Sequence, residues 1–175
     1  MKYYYQMIIT FFAISIVILS SCNKEAPSPR CFEDIVTCKV NGKEWRSNCI
    51  SNDPLFGCRA IDCHYYYTEG NGLDMAAGNS NDHSNLTLDQ FGAYGGAHIG
   101  NNSIQQSEFW FTDFTINGNC STLDSLDFSY SNYFIIDKID TINFIIEGQF
   151  GFKVYNHCGD TTTITDGHFK TKFIY

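Results

Sequence analysis

Basic side chains are scarce in this chain: 11 Lys and Arg stand against 19 Asp and Glu, and only 17% of residues are charged. A shortage of cations excludes nucleic acid as a partner, because phosphate backbones are bound through a positively charged footprint. It argues equally against anionic lipid surfaces as a binding target. No window of a dozen residues spaces its apolar side chains by three and four, so no long helix is expected. The apolar run Met7 to Leu19 falls short of the ~20 residues that span a bilayer. No G-x-S-x-G or comparable local catalytic signature occurs. His64, His83, His98, His157 and His168 lie in a strand, in polar or glycine-rich turns, or at strand ends, and no local pattern joins one to a triad. No catalytic residue and no cofactor are assigned, and the chain reads as a non-enzyme.

What is present begins with one early charge, Lys2, then the apolar run, then Leu19-Ser20-Ser21-Cys22. Small residues and a cysteine directly behind a short apolar segment look like a bacterial lipoprotein signal. Residues 1–21 are then the signal peptide, and Cys22 carries the lipid that anchors the chain to a membrane. The expected location is the cell envelope, at the outer membrane of a Gram-negative bacterium. Loss of Lys2 takes the net charge from −8 to −9. Residues 22–33 contain Pro27 and Pro29 and no apolar period, so they read as the lipidated cysteine and a tether. Residues 34–175 are enough for one domain with a single core.

Within that domain every legible segment has period two. Ile35 to Val40 and Lys43 to Cys49 flank Asn41-Gly42, the strongest two-residue hairpin signal. Phe144, Ile146, Gly148, Phe150, Phe152 and Val154 share one face of a long segment, which is either one bent strand or two strands broken near Gly148 or Gly151. Thr161 to Thr165 and Phe169 to Tyr175 alternate as well, with Asp166-Gly167 between them as a tight turn. Further strands are expected over 61–67, 73–77, 86–91, 96–99, 109–114 and 128–136. Eight to eleven short strands with frequent turns predict an all-β, antiparallel β-sandwich with little or no helix.

The chain has eight cysteines, and an exported protein folds where thiols pair. With Cys22 committed to lipid, seven remain. Cys38 shares a face with Val36 and Val40 and reads as a buried, unpaired thiol. The other six, Cys31, Cys49, Cys58, Cys63, Cys120 and Cys158, are the disulfide candidates. Cys120 and Cys158 both sit beside turn signals at strand ends, which a sandwich gathers at its rims, so they are expected to pair. Cys31, Cys49, Cys58 and Cys63 then settle matters among themselves. No metal site is assigned: Cys58-x4-Cys63-His64 lacks the tight paired spacing of structural zinc.

The hairpin Thr37-Cys38-Lys39-Val40-Asn41-Gly42-Lys43-Glu44-Trp45 resembles the opening of a family of small Bacteroidota lipoproteins of unknown function. Gly148-Gln149-Phe150-Gly151-Phe152 and Ile164-Thr165-Asp166-Gly167-His168-Phe169 resemble the end of the same family, where "G-x-F-x-F" and "I-T-D-G-R-F-D" are usual. This chain has His168 and Lys170 where those members have Arg and Asp. The resemblance implies a lipoprotein and lends no activity. Asp124-Ser125, Asp140-Thr141 and Asp160-Thr161 resemble the O-glycosylation motif of exported Bacteroidota proteins, which makes Ser125, Thr141 and Thr161 candidate acceptors.

Two aromatic triplets stand out, Tyr65-Tyr66-Tyr67 and Phe109-Trp110-Phe111. Consecutive residues of a strand alternate faces, so with the flanking rings in the core Tyr66 and Trp110 point outward. Outward aromatic faces suit a glycan or a protein partner; the alternative is that both faces of the sheet are partly covered and the rings are packing residues. The expected function is therefore a binding or structural module of the envelope, with a hydrolase acting on surface glycans or peptides as the alternative.

Overall fold

In this computed structural model, residues 33–49, 59–67, 70–91, 96–116 and 118–174 are described. Cys22, Cys31 and Cys58, with the signal and nearly all of the tether, lie outside them. Twelve strands follow in order: β1 Ile35–Val40, β2 Lys43–Arg46, β3 Ile61–Tyr66, β4 Gly72–Asn79, β5 Ser84–Gln90, β6 Gly100–Asn101, β7 Ser107–Asp113, β8 Thr122–Leu123, β9 Ser125–Leu126, β10 Tyr133–Asp140, β11 Ile145–Tyr155 and β12 Thr161–Lys172. Eleven of them, all but β6, form two antiparallel sheets. One runs β10-β11-β12-β1-β2, with β9 added to β11, and the other runs β3-β4-β5-β7-β8. Asp34 to Tyr175 is one compact unit. The all-β sandwich is as the alternation implies.

The β1–β2 hairpin forms as expected. Asn41 and Gly42 both take positive φ, 51° and 82°, the geometry of the two-residue turn whose twist matches the strands it joins. Segment 145–155 is a single strand, and its register against β12 shifts between Phe150 and Phe152, at Gly151. Phe144 is not part of it. With φ at 56° it closes the turn before β11, half-exposed instead of facing the core.

Three expectations are corrected. Asp166-Gly167 is not a turn between two strands, because β12 runs through it. Asp166 takes φ of 52°, the ladders to β1 and β11 both shift register nearby, and the extra residue is absorbed as a bulge. Neighbours on both edges keep the chain straight where an isolated Asp-Gly would turn. Residues 96–98 are not strand, and Ile99 makes only an isolated bridge to Ile136. The strand expected from Phe128 begins at Tyr133, because Asp127 accepts hydrogen bonds from the Ser129 N–H and hydroxyl and turns the chain first.

The inward rows of the two sheets meet in an aromatic core. Phe109 of β7 packs on Phe134 of β10 and Phe152 of β11, with ring centroids 5.5 and 5.0 Å apart. Each such side chain, once buried, contributes roughly 2–3 kcal/mol relative to exposure. Three links join the sheets: β8 passes through Asp124 directly into β9, beyond β12 Ile174 bridges His64 of β3, and beyond β2 Asn48 bridges Asn79 of β4. On the outer face of the five-stranded sheet, Asp62, Asp74 and Glu108 are exposed, while Thr87 and Thr112 are buried.

Candidate binding face

Alternation along β3, β4, β5 and β7 decides what this outer face carries. Ile61, Cys63 and Tyr65 are buried, as are Leu73, Met75 and Ala77, Leu86 and Leu88, and Phe109 and Phe111. Their neighbours in sequence must face out. Tyr66 and Trp110 point outward but are only half-buried, so the face is partly covered there, and Tyr67, the flanking ring expected in the core, is exposed instead. The Tyr66 ring stacks on His64, centroids 5.8 Å apart and planes 10° from parallel.

Strand register then assembles what no single segment shows. His64 lies opposite Asp74, Asp74 opposite Asp89, and Asp89 opposite Glu108, so three carboxylates and an imidazole form one row across four strands. The next row is Asp62, Ala76, Thr87 and Trp110. On the other side of the acidic row, Tyr66 faces Gly72, which has no side chain to fill the space beside the ring. Tyr66 and Trp110 thus stand at opposite corners, roughly 20 Å apart by strand spacing and rise. Between Tyr66 and the half-exposed Phe91 is a depression of about 280 Å³ with Asp74 and Asp89 in its lining.

Like charges directly opposite one another on a sheet are destabilising. The strain falls on Asp89, the central member. Burial first, then the Asp74 and Glu108 carboxylates, push its pKa up to about 6, against the opposing effect of a hydrogen bond from the Gln90 N–H. A row of this kind costs stability and can be retained for what it binds. Asp74, Asp89, Glu108 and Phe91 were missed by reading the sequence, since each is one polar or apolar residue in an ordinary alternating strand. Only the pairing of β3, β4, β5 and β7 brings them together.

The cysteines resolve in part. Cys120 and Cys158 are joined, with Cα atoms 5.9 Å apart. On the chain-entropy model this crosslink is worth about 4 kcal/mol. Cys49 is also in a disulfide. Cys63 is corrected: it is a free, buried thiol. It faces the core from the middle of β3, where desolvation raises its pKa and keeps it neutral and inert. Cys38 is free and buried as expected, its pKa pushed up to about 12, chiefly by desolvation. The ligand atoms of Cys120, His157 and Cys158 lie within 4.8 Å of one another, but both sulfurs are spent on each other.

Among the candidate acceptors, Thr141 is exposed in the β10–β11 turn and Thr161 is exposed at the start of β12. Ser125 is half-buried in β9, with its hydroxyl donating to Asp124. Comparison of the chain with protein-family models, curated proteins and solved structures finds no match.

Proposed function

We propose that the protein is a lipid-anchored envelope protein whose domain binds carbohydrate on the outer face of the five-stranded sheet. The observation that carries the reading is the depression between Tyr66 and Phe91 with Asp74 and Asp89 in it. Sugar rings present C–H faces that stack on aromatic rings, and hydroxyls that donate to carboxylates. Two aromatic rings with carboxylates between them make a shallow depression, just under the ~300 Å³ at which small-molecule pockets begin, a size that suits one ring of a longer glycan. Trp110 offers a second stacking surface farther along the same face, which suits an extended oligosaccharide better than a single sugar.

A hydrolase is the second reading, and one observation favours it. Asp74 and Asp89 are cross-strand partners, so their Cβ atoms stand roughly 5 Å apart, and Asp89 has the raised pKa of an acid catalyst. Glycosidases, however, place their two carboxyl groups on either side of the scissile bond. Here both rise from one sheet face, which is a binding floor.

A glycan array probed with the soluble domain, residues 34–175, tests the proposal. Bound glycans are expected to be lost with Tyr66→Ala and weakened roughly tenfold or more with Trp110→Ala, stacking being worth ~1–3 kcal/mol per ring. Recovered glycans should be uncleaved. An empty array, or retention unaffected by both substitutions, contradicts the binding reading. Cleavage products abolished by Asp89→Asn replace it with the hydrolase.

A further inference from the structure

A second concavity, separate from the outer face, opens between the two sheets. It is half open, with a volume of about 520 Å³, and lies where the β1–β2 hairpin, the β4–β5 turn, the end of β7 and the start of β12 converge. Its floor is apolar: Trp45 from one sheet, Phe111 and Leu123 from the other. The Trp45 indole N–H donates to the Ser84 hydroxyl at 2.8 Å. The polar atom of the indole is therefore satisfied within the protein.

Around this floor stand four carboxylates, Glu44, Asp82, Asp113 and Asp160, and one ammonium, Lys43. Asp113 belongs to the inward row of β7. Among the described residues none of the four is in an ion pair. Lys39, the cross-strand neighbour of Glu44, gives its ammonium to Asp166 instead. Three of the carboxylates are held in place by local hydrogen bonds, Asp82 from Asn79, Asp113 from Thr115 and Asp160 from Asn156. Glu44 has no such partner.

An apolar cavity under a rim of net negative charge, four carboxylates to one ammonium, is complementary to one chemical class. The geometry points to an amphiphilic amine as the occupant: a molecule with an apolar body for the inter-sheet floor and a cationic head for the carboxylates. The volume falls within the ~300–1,000 Å³ of small-molecule sites. Fatty acids are disfavoured by the same rim, and a neutral amphiphile gains the floor but not the charge.

Octylamine, octanol and octanoate titrated into the soluble domain separate these cases. The readout is the indole N–H resonance of Trp45 beside that of Trp110, which serves as an internal control on the outer face. Octylamine is expected to move the Trp45 signal with Kd on the order of 1 mM or below. Octanol should bind roughly threefold to fivefold more weakly and octanoate more weakly still, as weak charge pairing at a wet rim allows. The double variant Glu44→Gln/Asp82→Asn changes only exposed side chains and should bring octylamine down to the level of octanol. The proposal is overturned if octylamine leaves Trp45 unmoved at about 10 mM, roughly ten times the expected Kd. It is overturned equally if the three probes bind alike, or if the double variant binds octylamine as tightly as the parent.

Discussion

At the scale of residues, Asp89 is where burial and two neighbouring carboxylates leave a thermodynamic mark. Its carboxyl titrates near 3.8 when unhindered and at about 6 in the fold. Between those values the folded protein keeps a proton that the unfolded chain has released. Stability therefore falls as pH rises through this window, and the penalty is complete at pH 7. Asp89→Asn should raise stability at pH 7 by about 1 kcal/mol, the full shift being discounted for a half-exposed group. At pH 4, just above the unfolded pKa, most of the gain should be gone. Urea unfolding at the two pH values checks this, and an equal gain at both would show that charge is not the cause. Alternation alone was enough to place Tyr66, Trp110 and Cys38. It also put Cys63 on the core side, next to Ile61 and Tyr65. Expecting that cysteine to pair set cysteine arithmetic above its own strand pattern.

At the scale of elements, β11 and β12 explain why glycine and phenylalanine recur together. Gly148 pairs with Phe169, and Phe150 with Gly167. A Cβ on Gly148 would come within 2.3 Å of the Ile135 carbonyl oxygen and 2.4 Å of the Phe169 ring. One on Gly167 would meet the Phe150 carbonyl and ring equally closely. Each ring thus lies across the bare backbone of the partner strand. Gly148→Ala should cost about 2–3 kcal/mol as overpacking against backbone. Gly78→Ala, where a Cβ meets nothing within 4 Å, should be neutral or slightly stabilising. Thermal unfolding of the two variants separates packing from strand propensity. Hairpins and strand cores were legible at this scale because they are local. Asp166-Gly167 was misread because a bulge and a turn share their residues, and only the flanking ladders of β1 and β11 tell them apart. The acidic row was invisible for a related reason: it runs perpendicular to the chain.

At the scale of the whole molecule, the proposal joins an anchor to a binding face. Eleven residues separate Cys22 from Asp34 and reach at most about 40 Å when extended, so a lipid on Cys22 would hold the domain near a membrane. Cys22→Ala should move the protein from the membrane pellet to the soluble fraction and abolish incorporation of labelled fatty acid. Continued pelleting with label would contradict the anchor. The binding face itself is tested most directly by mapping a glycan selected on the array onto the 15N-labelled domain by NMR titration. The account predicts that the shifted amides cluster in β3, β4, β5 and β7, around Tyr66, Asp74, Asp89 and Trp110. Shifts confined to the six-stranded sheet, or to the inter-sheet cavity around Trp45, would contradict it.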